Sequence, residues 1–119
     1  DKRVLIVYGD GSFGLNGFEY DTAVRFDLPI VGVVGNDAAW GQMMRPQGML
    51  YGEDRLVAVE LNRTRYDLVV EALGGHGEHV VDPEEIGPAI ARAFESGKPA
   101  LVNVEIRQDR TGMKGSTYV

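Results

Sequence analysis

Short β-branched, apolar runs, set apart by stretches long enough for a helix, constrain this chain more than any other feature. Val4–Tyr8 is the first and halts at Gly9-Asp10-Gly11; Ile30–Val34 is the second and halts at Gly35-Asn36-Asp37. His79–Val81 is a shorter third, and Ala100–Ile106 a fourth. Strands that are apolar along their whole length need cover on both faces, and amphipathic segments between them supply it. That rhythm predicts an α/β fold, a doubly wound parallel sheet built from βαβ units in a single domain.

The helical segments are read from their caps and stops. Asn16-Gly17-Phe18-Glu19 has the form of a capping box, which predicts a helix over 17–26 with Phe18, Thr22 and Phe26 on one stripe. Tyr66, Val69, Val70 and Leu73 give a helix over 64–73 that Gly74 ends. Asp82-Pro83-Glu84-Glu85 supplies an N-cap, a first-turn proline and first-turn acids for another, with Pro88 in its first turns or kinking them. Gly97-Lys98-Pro99 closes it. From Ala38 to about Glu60 the pattern weakens, and 41–52, rich in Gly, Met, Pro and Gln, reads as a long loop with at most one short helix. A loop of that length in a small domain is usually functional or mobile.

Charge narrows the partners. Twelve Lys+Arg against eighteen Asp+Glu leave 119 residues at −6, which disfavours non-specific binding to nucleic acid or anionic membrane. A phosphate-bearing ligand must then be met locally, by backbone N–H groups or a metal ion. With no cysteine there are neither disulfides nor thiolate metal sites. No apolar run approaches the ~18 residues of a membrane span and no signal-peptide pattern opens the chain, so a cytoplasmic protein is expected. A start on Asp1, almost directly in a strand, suggests a piece of something longer.

Ligands of open parallel sheets bind beyond the carboxyl ends of the strands. Two ends here carry polar residues, Gly9-Asp10-Gly11-Ser12 and Gly35-Asn36-Asp37-Ala38. An acidic protein that binds a diphosphate through Mg²⁺ needs a few oxygen donors without excess negative charge. Asp10 would give a carboxylate oxygen, Asn36 an amide oxygen and the Ala38 backbone a carbonyl. Gly9 and Gly11 would let the backbone approach phosphates, and Ser12 would add donors. The plainer reading is a tight turn with a solvated acid. A rival also exists, because Gly9-Asp10-Gly11-Ser12-Phe13-Gly14 fits G-x-G-x-x-G, with Asp37 near the place of a ribose-binding acid. An unscreened Asp10 would repel a pyrophosphate, and a helix starting at Asn16–Gly17 would lie beyond the third glycine.

The stretch GDGSFGLNGFEYDTAVRFDLPIVGVVGND, with GDG and then Asn about two dozen residues on, resembles the thiamine diphosphate motif, and GKPALVNVEI resembles its surroundings. Together they resemble the C-terminal cofactor-binding domain of acetolactate synthase-like enzymes, a group that includes 2-hydroxyacyl-CoA lyases and oxalyl-CoA decarboxylases. The resemblance implies the C-terminal part of a thiamine diphosphate-binding domain over 1–106, followed by a polar tail over 107–119. It implies Mg²⁺ on Asp10, Asn36 and the Ala38 carbonyl. It also implies thiamine diphosphate against Gly9, Asp10, Gly11, Ser12, Asn36, Ala38, Trp40 and Gly41. The group often has Asn-Asn where this chain has Gly35-Asn36; the liganding Asn is the second, and Asp37 is expected to turn away from the metal.

In such enzymes the cofactor's carbanion attacks a 2-oxo or 2-hydroxyacyl substrate, and a carbon–carbon bond breaks or forms. The glutamate that activates the aminopyrimidine belongs to another domain, usually of a neighbouring subunit. No catalytic residue is therefore assignable here. The resemblance implies missing N-terminal and pyrimidine-binding domains, a small 2-oxo acid or acyl-CoA substrate, a homo-oligomer when full length, and a segment silent alone. Gln42 stands where some decarboxylating relatives carry Glu, which tilts toward carboligation or lyase chemistry, or is an ordinary loop amide. Trp40, Met43, Met44 and Met49 form a wall over the cofactor or pack against a missing domain. His76 and His79, with Glu78, are expected to be structural, and Arg63 and Arg65 to be solvated. Arg45 is the basic side chain nearest the triad in sequence and would greet an anionic substrate, as would Arg110 or Lys114. A dinucleotide-binding oxidoreductase module and a non-catalytic assembly domain remain the competing functions.

Overall fold

A computed structural model describes residues 2–108. The polar tail, with Arg110 and Lys114, lies outside the described residues apart from Arg107 and Gln108. Four strands, β1 (Val4–Gly9), β2 (Ile30–Asn36), β3 (His76–Val80) and β4 (Ala100–Glu105), form one sheet in the order β1-β2-β4-β3. Every neighbouring pair is parallel, as the apolar runs require. The register sets Gly9 beside Gly35 and Asn36 beside Glu105, so the polar ends of β1 and β2 emerge side by side.

Alternation along the strands divides the core in two. Val31, Ala100, Val102 and Val104 face α5 (Ile86–Glu95) through Ala89 and Ala93, whose small side chains let the helix lie close. Val34 and Leu101 face the other way, onto Phe13 of α1 (Asp10–Asn16), Tyr20 of α2 (Glu19–Arg25) and Val70 of α4 (Tyr66–Ala72). Gly32 is what lets that second layer seat. A Cβ there would overlap the Tyr20 hydroxyl, which donates to the Ala100 carbonyl, and would crowd Leu101. A third cluster, Ala39, Met44 and Val59, anchors α3 (Gly41–Tyr51) beyond the strand ends.

Three expectations change. The first helix starts at Asp10, directly on the glycine turn, and not at Asn16–Gly17. Asn16 ends α1, and Phe18 caps α2 without any side-chain cap, so the capping box does not form. The Gly17 break shifts the helical phase, so Tyr20 and Ala23 are buried while Phe18 and Phe26 are 77% and 66% exposed. Residues 41–51 form a helix rather than a loop, although Pro46 removes one N–H from it. The carbonyl so freed is that of Gln42, an exposed residue. Asp82 does cap its segment, accepting from the Glu84 N–H at 3.0 Å, with Pro83 following it and Pro88 in the first turn of α5. Gly74 ends α4 in a left-handed conformation at φ 99°. No helix among the described residues is long and apolar enough to cross a membrane.

Candidate functional site

The two polar strand ends converge. Asp10 is 1% exposed; its Oδ1 accepts from the Gly11 N–H at 2.9 Å and its Oδ2 from the Ala39 N–H at 3.2 Å. Asn36, also 1% exposed, accepts through Oδ1 from the Ala38 N–H at 3.3 Å. A carboxylate oxygen from one βα unit and an amide oxygen from the next thus meet consecutive N–H groups of one turn. The turn is bent to serve them, because Ala38 has φ 59°, a left-handed conformation that L-residues adopt at a cost of about 1–2 kcal/mol. The carbonyl of Ala38 accepts from the Leu61 N–H at 2.8 Å, while Trp40 N–H bonds the Val59 carbonyl at 2.8 Å, so a two-residue bridge pins the turn. One lone pair of the Ala38 carbonyl remains for another partner.

A cavity of about 490 Å³ opens over this turn, within the usual range for a small-molecule site. Gly9, Asp10, Gly11, Ser12, Trp40 and Gly41 line it, as do Gln42, Met43, Arg45 and Asp37. Gly11 lies flat beneath Trp40: a Cβ added to it would stand 2.8 Å from the indole ring. The apolar residues of this stretch part company. Trp40 and Met43 face the cavity, Met44 is buried in the third cluster, and Met49 is 85% exposed and away from it.

Asp37 lines the same cavity as Asp10. Burial, and then the negative charge of Asp10, push its carboxyl above the usual range, and the Ala39 N–H and Arg45 offset part of that. Asp10 offers a carboxylate oxygen and Asn36 an amide oxygen, donors of the kind Mg²⁺ takes.

Arg63 and Arg65 are not merely solvated charges. Arg63 donates to the carbonyls of Asn36 and Ile106, at 3.0 Å each, tying the ends of β2 and β4 together. Arg65 clamps the buried Asp67 through three hydrogen bonds of 2.6–3.1 Å. Asp67 in turn accepts from Asn103 at 3.1 Å, and Asn103 accepts from Asn36 at 3.2 Å. A signal for this network is visible in hindsight: Asn103 interrupts an otherwise apolar strand, and a polar residue there must have a buried partner. His76 and His79 lie on β3, where a spacing of three puts them on opposite faces. They pair separately, with Glu78 and Glu105, at 2.9 Å each.

The start of α1 at Asp10 also bears on a dinucleotide site. The glycines do open a helix, so helix position no longer excludes it. Gly14 argues against it instead: in the fingerprint the third glycine permits close helix–strand packing, whereas a Cβ on Gly14 would meet nothing within 4 Å.

The family described as "Thiamine pyrophosphate enzyme, C-terminal TPP binding domain" matches residues 1–104. A probable acetolactate synthase of Mycobacterium bovis is 51% identical over 104 residues, covering 87% of this chain and 19% of its own length. A 2-hydroxyacyl-CoA lyase 2 of Caenorhabditis elegans is 42% identical, covering 88% and 17%. The chain therefore spans about a fifth of the length of the curated relatives it matches. Among solved structures, a thiamine diphosphate-dependent 4-hydroxybenzoylformate decarboxylase of Rhodococcus jostii superposes with a TM-score of 0.83. Its identity is 21%, with 93% of this chain and 21% of that one covered, so it speaks for the fold alone.

Proposed function

The chain belongs to the family of thiamine pyrophosphate enzymes, through their C-terminal TPP-binding domain, and on that premise we propose that it is the Mg²⁺- and diphosphate-binding part of a lyase or carboligase. Asp10, Asn36 and the Ala38 carbonyl would hold Mg²⁺. Gly9, Gly11 and Ser12 would meet the diphosphate, and Trp40 and Gly41 the adjoining part of the cofactor. The observation that carries this reading is the convergence of Asp10 and Asn36 on the consecutive Ala38 and Ala39 N–H groups, with Asp10 and Ala39 lining the cavity. When bound, the cofactor supplies a nucleophilic carbon that lets a carbon–carbon bond beside a carbonyl break or form. The chain's own contribution is to bind and orient: a buried acid and a buried amide fix the cation, and the cation offsets the diphosphate charge on an acidic surface.

The substrate class is taken to be a 2-oxo acid or a 2-hydroxyacyl-CoA, after the relatives' names. Residues 1–106 would act with the remaining domains of a longer enzyme, which would supply the glutamate for the aminopyrimidine, within a homo-oligomer. Gln42 at the cavity wall has no proton to give as an acid, which favours carboligation or lyase chemistry. A cytoplasmic location suits a cysteine-free chain.

Calorimetric titration with thiamine diphosphate, with and without Mg²⁺, tests the site. Magnesium-dependent binding that Asp10→Ala abolishes is expected, with no binding of NAD(H). Metal-independent binding, or binding indifferent to Asp10→Ala, would overturn the assignment.

A further inference from the structure

An asparagine offers a cation site its oxygen only if its amide is turned the right way, and here the turning is imposed from outside the cavity. Asn36 Nδ2 donates to the Thr64 carbonyl at 2.9 Å and to Asn103 Oδ1 at 3.2 Å. Asn103 Nδ2 donates to the same carbonyl at 3.3 Å and to Asp67 Oδ1 at 3.1 Å. Asp67 is clamped by Arg65, whose closest contact with it is 2.6 Å. A backbone carbonyl and an ionised carboxylate are acceptors only. The polarity of both amides is therefore settled by chemistry: Asn103 must turn its nitrogen toward Thr64 and Asp67, and Asn36 its nitrogen toward Thr64 and Asn103. Reversing Asn36 would set its oxygen against the Thr64 carbonyl and the Asn103 oxygen. All three side chains are buried, Asn36 and Asn103 at 1% and Asp67 at 2% exposure, so water cannot rescue a reversed amide.

We propose that Arg65, Asp67 and Asn103 are positioning residues that form a one-way relay, fixing Asn36 with its oxygen toward the cation site. This rests on the cation site proposed above. Partners of this kind behind a metal ligand typically affect affinity by about 10–100-fold. A purely structural role would instead show only in stability.

The test uses the ¹⁵N-labelled 119-residue chain, following the Asn36 side-chain amide by hydrogen exchange and Mn²⁺ binding in the presence of thiamine diphosphate. Asn103→Leu, close to isosteric, is expected to speed Asn36 amide exchange at least ~10-fold and weaken Mn²⁺ binding by about 10-fold, with the backbone spectrum of a folded chain. The swap Asn103→Asp with Asp67→Asn keeps an acceptor for Asn36 and a donor–acceptor link to residue 67 at unchanged net charge, and gives up the bond to the Thr64 carbonyl. It is expected to bind Mn²⁺ more weakly than wild type but more tightly than Asn103→Asp alone, in which two adjacent carboxylates repel. Should Asn103→Leu fail to fold, the swap and the Asn103→Asp single variant decide. Unchanged Asn36 exchange and Mn²⁺ affinity in Asn103→Leu, or a swap no tighter than Asn103→Asp, would overturn the relay. If Mn²⁺ leaves even the wild-type Asn36 signal unaltered, the cation site itself is wrong, and the relay's purpose falls with it.

Discussion

Glycine at position 11 and glycine at position 14 stand three residues apart on the same short helix and answer to different constraints. A Cβ on Gly11 would press on Trp40, whereas one on Gly14 meets open space. Gly11→Ala is expected to destabilise by about 1 kcal/mol, since overpacking of about 1–3 kcal/mol exceeds the helix-propensity gain of up to ~1. Because Trp40 is the sole tryptophan, its emission should shift as the ring is displaced. Gly14→Ala should stabilise by roughly 0.5–1 kcal/mol and leave the emission unchanged. Chemical denaturation followed by fluorescence checks both, and a destabilising Gly14→Ala would count against the packing described. The identity of Asp10 and Asn36 as the polar pair was legible from their places after apolar strands. The exposure of Asp37 to the same cavity was not, because one residue of a turn can face either way until the turn is bent.

At the scale of elements, α4 does two jobs. Its Val70 packs on the sheet, and its Asp67 ends the chain of buried amides. Burial by itself pushes the Asp67 carboxyl up, but the hydrogen bonds from Arg65 and Asn103 outweigh it and hold the group below the usual aspartate range. A carboxyl depressed on folding contributes stability above its unfolded pKa and loses it as pH falls through the folded value. Stability should accordingly decline on acidification from about pH 4 downward, and Asp67→Asn should flatten that part of the profile. Denaturant midpoints measured across that range check it, and a profile as steep in Asp67→Asn as in wild type would argue against the clamp. Glu78 acts in the same direction, drawn down by its hydrogen bond from Arg92, so the flattening is partial. The helix α3 escaped a reading by composition because Gly, Pro and Gln weaken local propensity. What stabilises it is tertiary: Met44 buried against Ala39 and Val59.

Over the whole molecule, cover is uneven. Leu101 is fully buried beneath Tyr20 and Gly32, while Val7 on β1, one of the two edge strands of the sheet, is 73% exposed. Leu101→Ala should cost about 2–5 kcal/mol, and Val7→Ala less than about 0.5. Urea unfolding of the two variants measures the contrast, and comparable losses would mean that β1 is covered in solution.

Three of the strands, the parallel pairing, the Asp82 cap and the two polar strand ends followed from sequence alone, because each depends on side-chain periodicity or on backbone sterics within a few residues. The first helix boundary, the buried face of α2 and the helical state of 41–51 depended instead on what packs against them. So did the orientation of Asn36, whose amide is set by partners 28 and 67 residues away. Local chemistry can put an amide at the end of a strand, but which of its two ends faces a ligand is decided by acceptors that only the folded chain brings within reach.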